Sequence, residues 1–320
     1  MPYESPHIVS DQTSLVRMPA WVTSRAGESA QNVAFLSGAT FAFLDMILQQ
    51  KDKCVPKALL ANTLALQASV ATSRLEGRLA SEQDIRDAFY LTPAGDALGP
   101  DGDMLAFWRS VVHRPLRGRD WSGRIVEQAV EKLDQDVAHR IAKVVEDAGQ
   151  IGPLAAACGA IKAVIQSNDR AERLACFLSD TVLAKSFGWD HPLPLTALHL
   201  KKAMLRDLRD GKTGSDIAVQ DVITKGAQTA YRVALSLTRR ADVLKTVAPK
   251  LRTRGSADAV ALFLREDAVA PSSMLAPHIQ GTNIPMTGRA ARRLCDRLVE
   301  LGAIKELTGR STFRLFGIAP

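Results

Sequence analysis

The run MTGRAARRLCDRLVELGAIKELTGRSTFRLFG, Met286 to Gly317, decides how the chain is read. Thr287 is placed to cap a helix GRAARRLCDRLVEL, and Gly302 to stop it. On a wheel of about 100° per residue, Ala290, Leu294, Leu298 and Leu301 are expected on one face. Arg289, Arg293 and Arg297 are expected on the other, with Arg292 beside them. Beyond Gly302, Ala303, Ile304 and Leu307 predict one strand and Thr312 to Phe316 a second. Thr308-Gly309-Arg310 predicts a tight turn between them.

Upstream, Ser256 to Glu266 and Ser272 to Ile279 predict two short helices, followed by a GTNIP turn. Helix, helix, basic helix and hairpin is the order of a winged helix-turn-helix. Arginine bonds bidentately to guanine in the major groove and also grips phosphate. The expectation is therefore a module for double-stranded DNA. The amides of Thr287 and Gly288 would meet phosphate at the helix start, and Arg289, Arg292, Arg293 and Arg297 would face the groove. Arg310 at the turn and Arg314 on the second strand would contact the backbone. Asp296 and Glu300 share the arginine front, which leaves a salt-bridged solvent face as the alternative. Winged helices also dock proteins, so an interaction scaffold stays open.

Composition agrees with a helical protein. The 320 residues are 46% hydrophobic and 23% charged, with only 5% aromatics, and Ala and Leu, strong helix formers, are abundant. The net charge is +7. From Lys245 to Pro320 there are twelve Lys/Arg against six Asp/Glu, so most of that excess sits in the last quarter. The four cysteines, Cys54, Cys158, Cys176 and Cys295, form no CxxC pair and lie among Ala, Leu and Val. They read as small buried hydrophobes in a reducing compartment, with no metal site. No secretory leader is visible at the N-terminus, and no apolar run is expected to serve as a membrane span. The expectation is a cytoplasmic protein with no membrane contact.

The fold class expected is mainly α: a multi-helix N-terminal domain followed by a C-terminal winged helix-turn-helix with a small β-hairpin. Residues 1–29 read as a poorly ordered arm, 30–248 as the helical domain and 249–320 as the winged module, with APKLRTRG (248–255) as the break. Helices are predicted over 32–50, 57–79, 81–90, a short stretch around MLAFWRSVV, 122–147, 154–167, 171–187, 195–210 and 219–247. The helical domain would dimerise or sense a partner, making the protein a possible homodimer.

Little else carries chemistry. The six histidines show no HExxH. GDALGPDGD lacks the register of a calcium loop, and GKTG (211–214) lacks the spacing of a phosphate-binding loop. No complete catalytic motif is found, so the chain reads as a binding protein rather than an enzyme, with no cofactor. Thr72, Glu76 and Gly77 fit the Ser/Thr-x-x-x-Glu-Gly pattern of the inhibitory helix in Fic-domain AMP-transferases, which are helical and often end in a winged helix. His191-Pro192-Leu193 is the nearest approach to the Fic motif, without its Gly-rich anion cradle. That partial resemblance implies a Fic-derived enzyme or pseudo-enzyme, with Glu76 and His191 lining a vestigial nucleotide cleft.

From about Val33 to its end the chain more closely resembles an uncharacterised bacterial family catalogued as domain of unknown function 1403. The resemblance lies in VAFLSGATFAFLD, LALQASVATSRL, RDAFYLTPAGDALGP, VAPKLRTRGSADAV, REDAVAP and RAARRLCDRLVELGAIKELTGRSTFRLFG. It implies a single architecture and no established activity or ligand.

Overall fold

The computed structural model describes residues 17–23, 29–49, 55–116, 139–140, 143, 150–310 and 312–318. The described chain is mainly helical, with one two-stranded sheet. Its elements are α1 (Ala20–Thr23), α2 (Ala30–Gln49), α3 (Lys57–Leu75), α4 (Glu82–Tyr90), α5 (Gly99–His113), α6 (Pro153–Ser167), α7 (Glu172–Ser186), α8 (Lys202–Arg209), α9 (Ser215–Val247), α10 (Ser256–Phe263) and α11 (Gly288–Glu300), then β1 (Lys305–Glu306) and β2 (Phe316–Gly317).

The 33-residue α9 is the beam of the helical body. It packs against α2, α3, α6 and α8. α6 buries Ala156, Ala157, Ala160 and Ala163, small side chains that let it lie close against α7. α3 is buried along most of its length. Its Thr72 hydroxyl donates to the Ala68 carbonyl at 2.7 Å and accepts from Trp108 Nε1 at 3.0 Å, so a polar side chain inside the core is satisfied. Ser81 caps α4: its hydroxyl accepts from Asp84 N at 3.1 Å, and the Asp84 carboxylate accepts from Ser81 N at 3.0 Å.

Several predicted boundaries move, each for a visible reason. α3 stops at Leu75 rather than 79 because Gly77 turns left-handed at φ +83° and the Arg78 amide folds back to the Ser73 carbonyl at 2.8 Å. α5 starts at Gly99, inside the expected loop. The helix predicted over 195–210 is two pieces: a tight turn at Thr196–Leu198, then α8. The buried Asp180 carboxylate takes Thr196 N at 2.9 Å and the Thr196 hydroxyl at 2.7 Å, which holds this strip out of a continuous α-helix. Within the expected N-terminal arm, Val22 of α1 is fully buried, and its carbonyl accepts from Gln228 Nε2 at 3.1 Å. α2, with 20 residues and a mean hydropathy of 1.3, is by length and composition alone apolar enough to cross a membrane, contrary to the sequence expectation. One of its faces packs on α9. The helix predicted over 122–147 lies outside the described residues, apart from His139, Arg140 and Lys143.

After α9 the chain makes α10 as predicted, but not the second short helix. In place of an α-helix over 272–279 there is a shorter piece, one turn of π-helix at Pro271–Leu275. Ala276 is extended (φ −126°, ψ 145°) because the following Pro277 excludes the helical conformation there. α11 forms as expected, with the Thr287 hydroxyl accepting from Ala290 N at 3.2 Å. The hairpin pairs Lys305 with Gly317 and Glu306 with Phe316. Its second strand therefore falls later than the predicted 312–316, and Phe313 is an exposed residue at φ +53°. The turn is organised by a side chain: the Glu306 carboxylate accepts from Thr308 N at 2.9 Å and Gly309 N at 3.0 Å. On the other edge of β2, Val269 exchanges two backbone bonds with Phe316, at 2.7 and 3.0 Å. Buried side chains from both sides of the 248–255 break belong to one contiguous core, Leu60 and Ile85 with Phe263, Leu294 and Phe316 among them.

Candidate nucleic-acid interface

α11 buries Ala291, Leu294, Cys295 and Leu298, while Ala290 and Leu301 are only half-buried. The apolar face is thus turned by about one position from the expected one. Arg289, Arg292, Arg293 and Arg297 are all exposed. The two acids sit in the second half of the helix and are engaged there. Glu300 Oε2 pairs with Arg297 Nη1 at 2.9 Å, and Asp296 Oδ1 with Arg314 Nη1 at 3.1 Å. The Arg314 guanidinium also lies 4.7 Å from the centre of the Phe316 ring. The first half, GRAARR, has three arginines and no acid. Among the described residues Arg289, Arg292 and Arg293 form no ion pair, and the cap takes up the Ala290 amide, while the first amides of a helix have no partner within it.

Arg310 is not a projecting tip. Its Nη2 lies 2.7 Å from Asp87 Oδ2 on α4, and Gln83 Nε2 donates to the Thr308 carbonyl at 3.0 Å. The turn expected to contact the DNA backbone is packed against the helical body. Burial pushes the Asp87 carboxyl above its usual range, against the pull of Arg310 and Arg86.

A second polar cluster joins the two halves, and the sequence reading missed it. Arg109 Nη1 donates to Asp267 Oδ1 at 2.7 Å and to the Tyr90 hydroxyl at 2.7 Å, while Nη2 donates to Glu266. Tyr90 in turn donates to Asp267 at 2.6 Å. Asn62 Nδ2 donates to the Arg265 carbonyl at 2.9 Å, and Asn62 Oδ1 meets His113 Nε2 at 2.9 Å. Burial raises both the Asp267 carboxyl and the Tyr90 hydroxyl above their usual ranges. The available signal was the pair Glu266-Asp267 inside the apolar run AVALFLREDAVAP: acids in that setting need a cation from elsewhere.

The residues expected in a vestigial cleft are not joined by any contact. Both oxygens of Glu76 are engaged, Oε1 with Arg173 Nε at 3.1 Å and Oε2 with Arg78 Nη2 at 3.3 Å. His191 is exposed in the turn before Thr196. Among the described residues no group of three or more His, Cys, Asp or Glu is placed to hold a metal ion. Cys158, Cys176 and Cys295 are buried and free, as expected, and burial pushes the Cys158 and Cys295 thiols up to about 12.

These features define a mainly helical protein with a basic, capped helix and a small sheet at its C-terminal end. The chain belongs to the family described as Protein of unknown function (DUF1403), whose family model matches residues 6–318. A likeness to Fic proteins is not among the matches. No curated protein and no solved structure matches the chain.

Proposed function

We propose that the chain is a regulator-like protein that binds double-stranded DNA through α11, with a helical body that dimerises or senses a partner. The observation that carries this is the first half of α11. Three exposed arginines share the N-terminal end of one helix, and no carboxylate among the described residues pairs with them. A polyanion is the partner that such a surface suits. The element order supports the reading further: α10, a turn, α11 and a hairpin whose far strand also pairs with Val269 follow one another as in a winged helix-turn-helix. The sequence Glu-Asp pair at the module's start is used internally on Arg109, so it does not oppose DNA.

Within this reading Arg289, Arg292 and Arg293 face the groove, and the Thr287-capped start of α11 meets a phosphate. Arg297, Arg310 and Arg314 hold carboxylates of the chain itself, so each would have to leave one to reach DNA. Their role is to fix α11 and the hairpin rather than to read bases. The test is fluorescence anisotropy on a labelled duplex with the wild type and the Arg289→Glu, Arg293→Glu pair. The pair should bind at least tenfold more weakly while unfolding at the wild-type temperature. Equal binding by both proteins overturns the reading.

A further inference from the structure

The loop before α10 is basic, and three of its cations form no ion pair among the described residues. Between Asp242 and Asp258 the chain has four cations, Lys245, Lys250, Arg252 and Arg254, and no acid. Lys245 is engaged with Asp242 at 3.4 Å. Lys250, Arg252 and Arg254 are exposed and, among the described residues, form no ion pair. Two backbone hydrogen bonds shape the loop into turns. The Leu251 amide donates to Ala248 O at 3.1 Å, and the Ser256 amide to Thr253 O at 3.0 Å.

Gly255 fixes where this loop goes. It sits at φ +79°, and a Cβ built on it would come within 2.9 Å of Ile284 and 3.7 Å of Met286. Met286 is the residue before Thr287, the cap of α11. Arg254 and Thr287 are therefore each one residue from a pair of neighbours in close approach. The end of the acid-free loop thus packs on the side chain of Met286, two residues before the acid-free half of α11 begins.

We propose that the Lys250–Arg254 loop is a second phosphate-binding element, gripping the DNA backbone beside the groove that α11 enters. This rests on the reading of α11 as the DNA-facing helix. It gives the loop the backbone role that the sequence had assigned to the hairpin turn, whose Arg310 is held by Asp87. On this proposal six cations, Lys250, Arg252, Arg254, Arg289, Arg292 and Arg293, serve one DNA backbone together with the positive end of a helix. Their mutual repulsion in the free protein is relieved by a phosphate backbone.

The experiment is duplex binding over a range of salt concentrations with three forms of the full chain. They are the wild type, a loop variant Lys250→Gln, Arg252→Gln, Arg254→Gln, and a control, Lys201→Gln, Lys212→Gln, Lys225→Gln, which removes the same charge from exposed sites elsewhere. Each lost phosphate contact lowers the slope of log K against log salt by about 0.9, so the loop variant should lose roughly 2.7 in slope and bind at least tenfold more weakly. The control should keep the wild-type slope. If the loop variant keeps the wild-type slope while the Arg289→Glu, Arg293→Glu pair has lost binding, the loop inference falls and the α11 reading stands. If loop variant and control lose slope equally, the loop is no site and only net charge acts. If the wild type does not bind duplex DNA, both fall together.

Discussion

Asp180 is the residue with the sharpest consequence for stability. It is buried on α7, and burial pushes its carboxyl up to about 7 against the bonds it accepts from Thr196. Folding therefore favours the protonated form. Stability from this group is present below the pKa of the unfolded chain, near 4, and is lost as pH rises through about 7. Asp180→Asn keeps an acceptor for Thr196 and cannot ionise. Urea unfolding at pH 5 and pH 8 should show the variant losing less stability on going to pH 8 than the wild type does. An identical pH difference in the two proteins would contradict this. Arg109 shows the other side of buried charge. With its side chain 14% exposed it satisfies Glu266 and Asp267, at 8% and 4%. Arg109→Met leaves the buried Asp267 without a cation and Glu266 with Arg265 alone, and should cost about 3–5 kcal/mol in chemical denaturation. A loss below about 1 kcal/mol would show that water supplies what Arg109 supplies. Neither role was legible in the sequence. Asp180 sits in an ordinary helical pattern and Arg109 in another, and their partners lie 16 and about 157 positions away.

At the scale of elements, the sequence is most legible where a local group fixes a boundary. The Ser81 and Thr287 caps and the left-handed Gly302 act within three residues of the helix end, and all were readable. Where distant groups decide, the reading misses. The strip 195–200 has helical periodicity, yet Asp180 pulls Thr196 out of a continuous α-helix. Pro277 was visible, and its effect on Ala276 turns the expected 272–279 helix into a single turn. Two glycines separate local from tertiary demand. Gly38 on α2 and Gly226 on α9 both lie inside helices, where alanine is favoured by up to about 1 kcal/mol. A Cβ at Gly38 meets nothing within 4 Å, but at Gly226 it would lie 2.1 Å from the Leu195 carbonyl oxygen. Gly38→Ala should raise the unfolding temperature, and Gly226→Ala should lower it, with an overpacking cost of about 1–3 kcal/mol. Movement of both in the same direction would contradict the close crossing of Leu195 over α9.

At the scale of the whole molecule, composition and periodicity made the helical class legible, and the charge excess in the last quarter pointed to the end that carries the candidate site. What they could not give is how that end is mounted. Arg310 pairs with Asp87, and Glu266 and Asp267 with Arg109, so the C-terminal elements are tied to α4 and α5 by charges more than 150 positions apart in the chain. Pairing of that range leaves no periodic trace. It also redistributes the arginines: of those the sequence offered to DNA, Arg297, Arg310 and Arg314 are engaged, and Arg289, Arg292 and Arg293 remain open. The measurement that tests the central claim most directly is the salt dependence of wild-type binding to a duplex, set beside the Arg289→Glu, Arg293→Glu pair. The account predicts affinity that falls steeply between about 50 and 200 mM salt for the wild type, and a weaker, shallower curve for the pair. Binding that is absent, or that does not respond to salt or to the two substitutions, would contradict it.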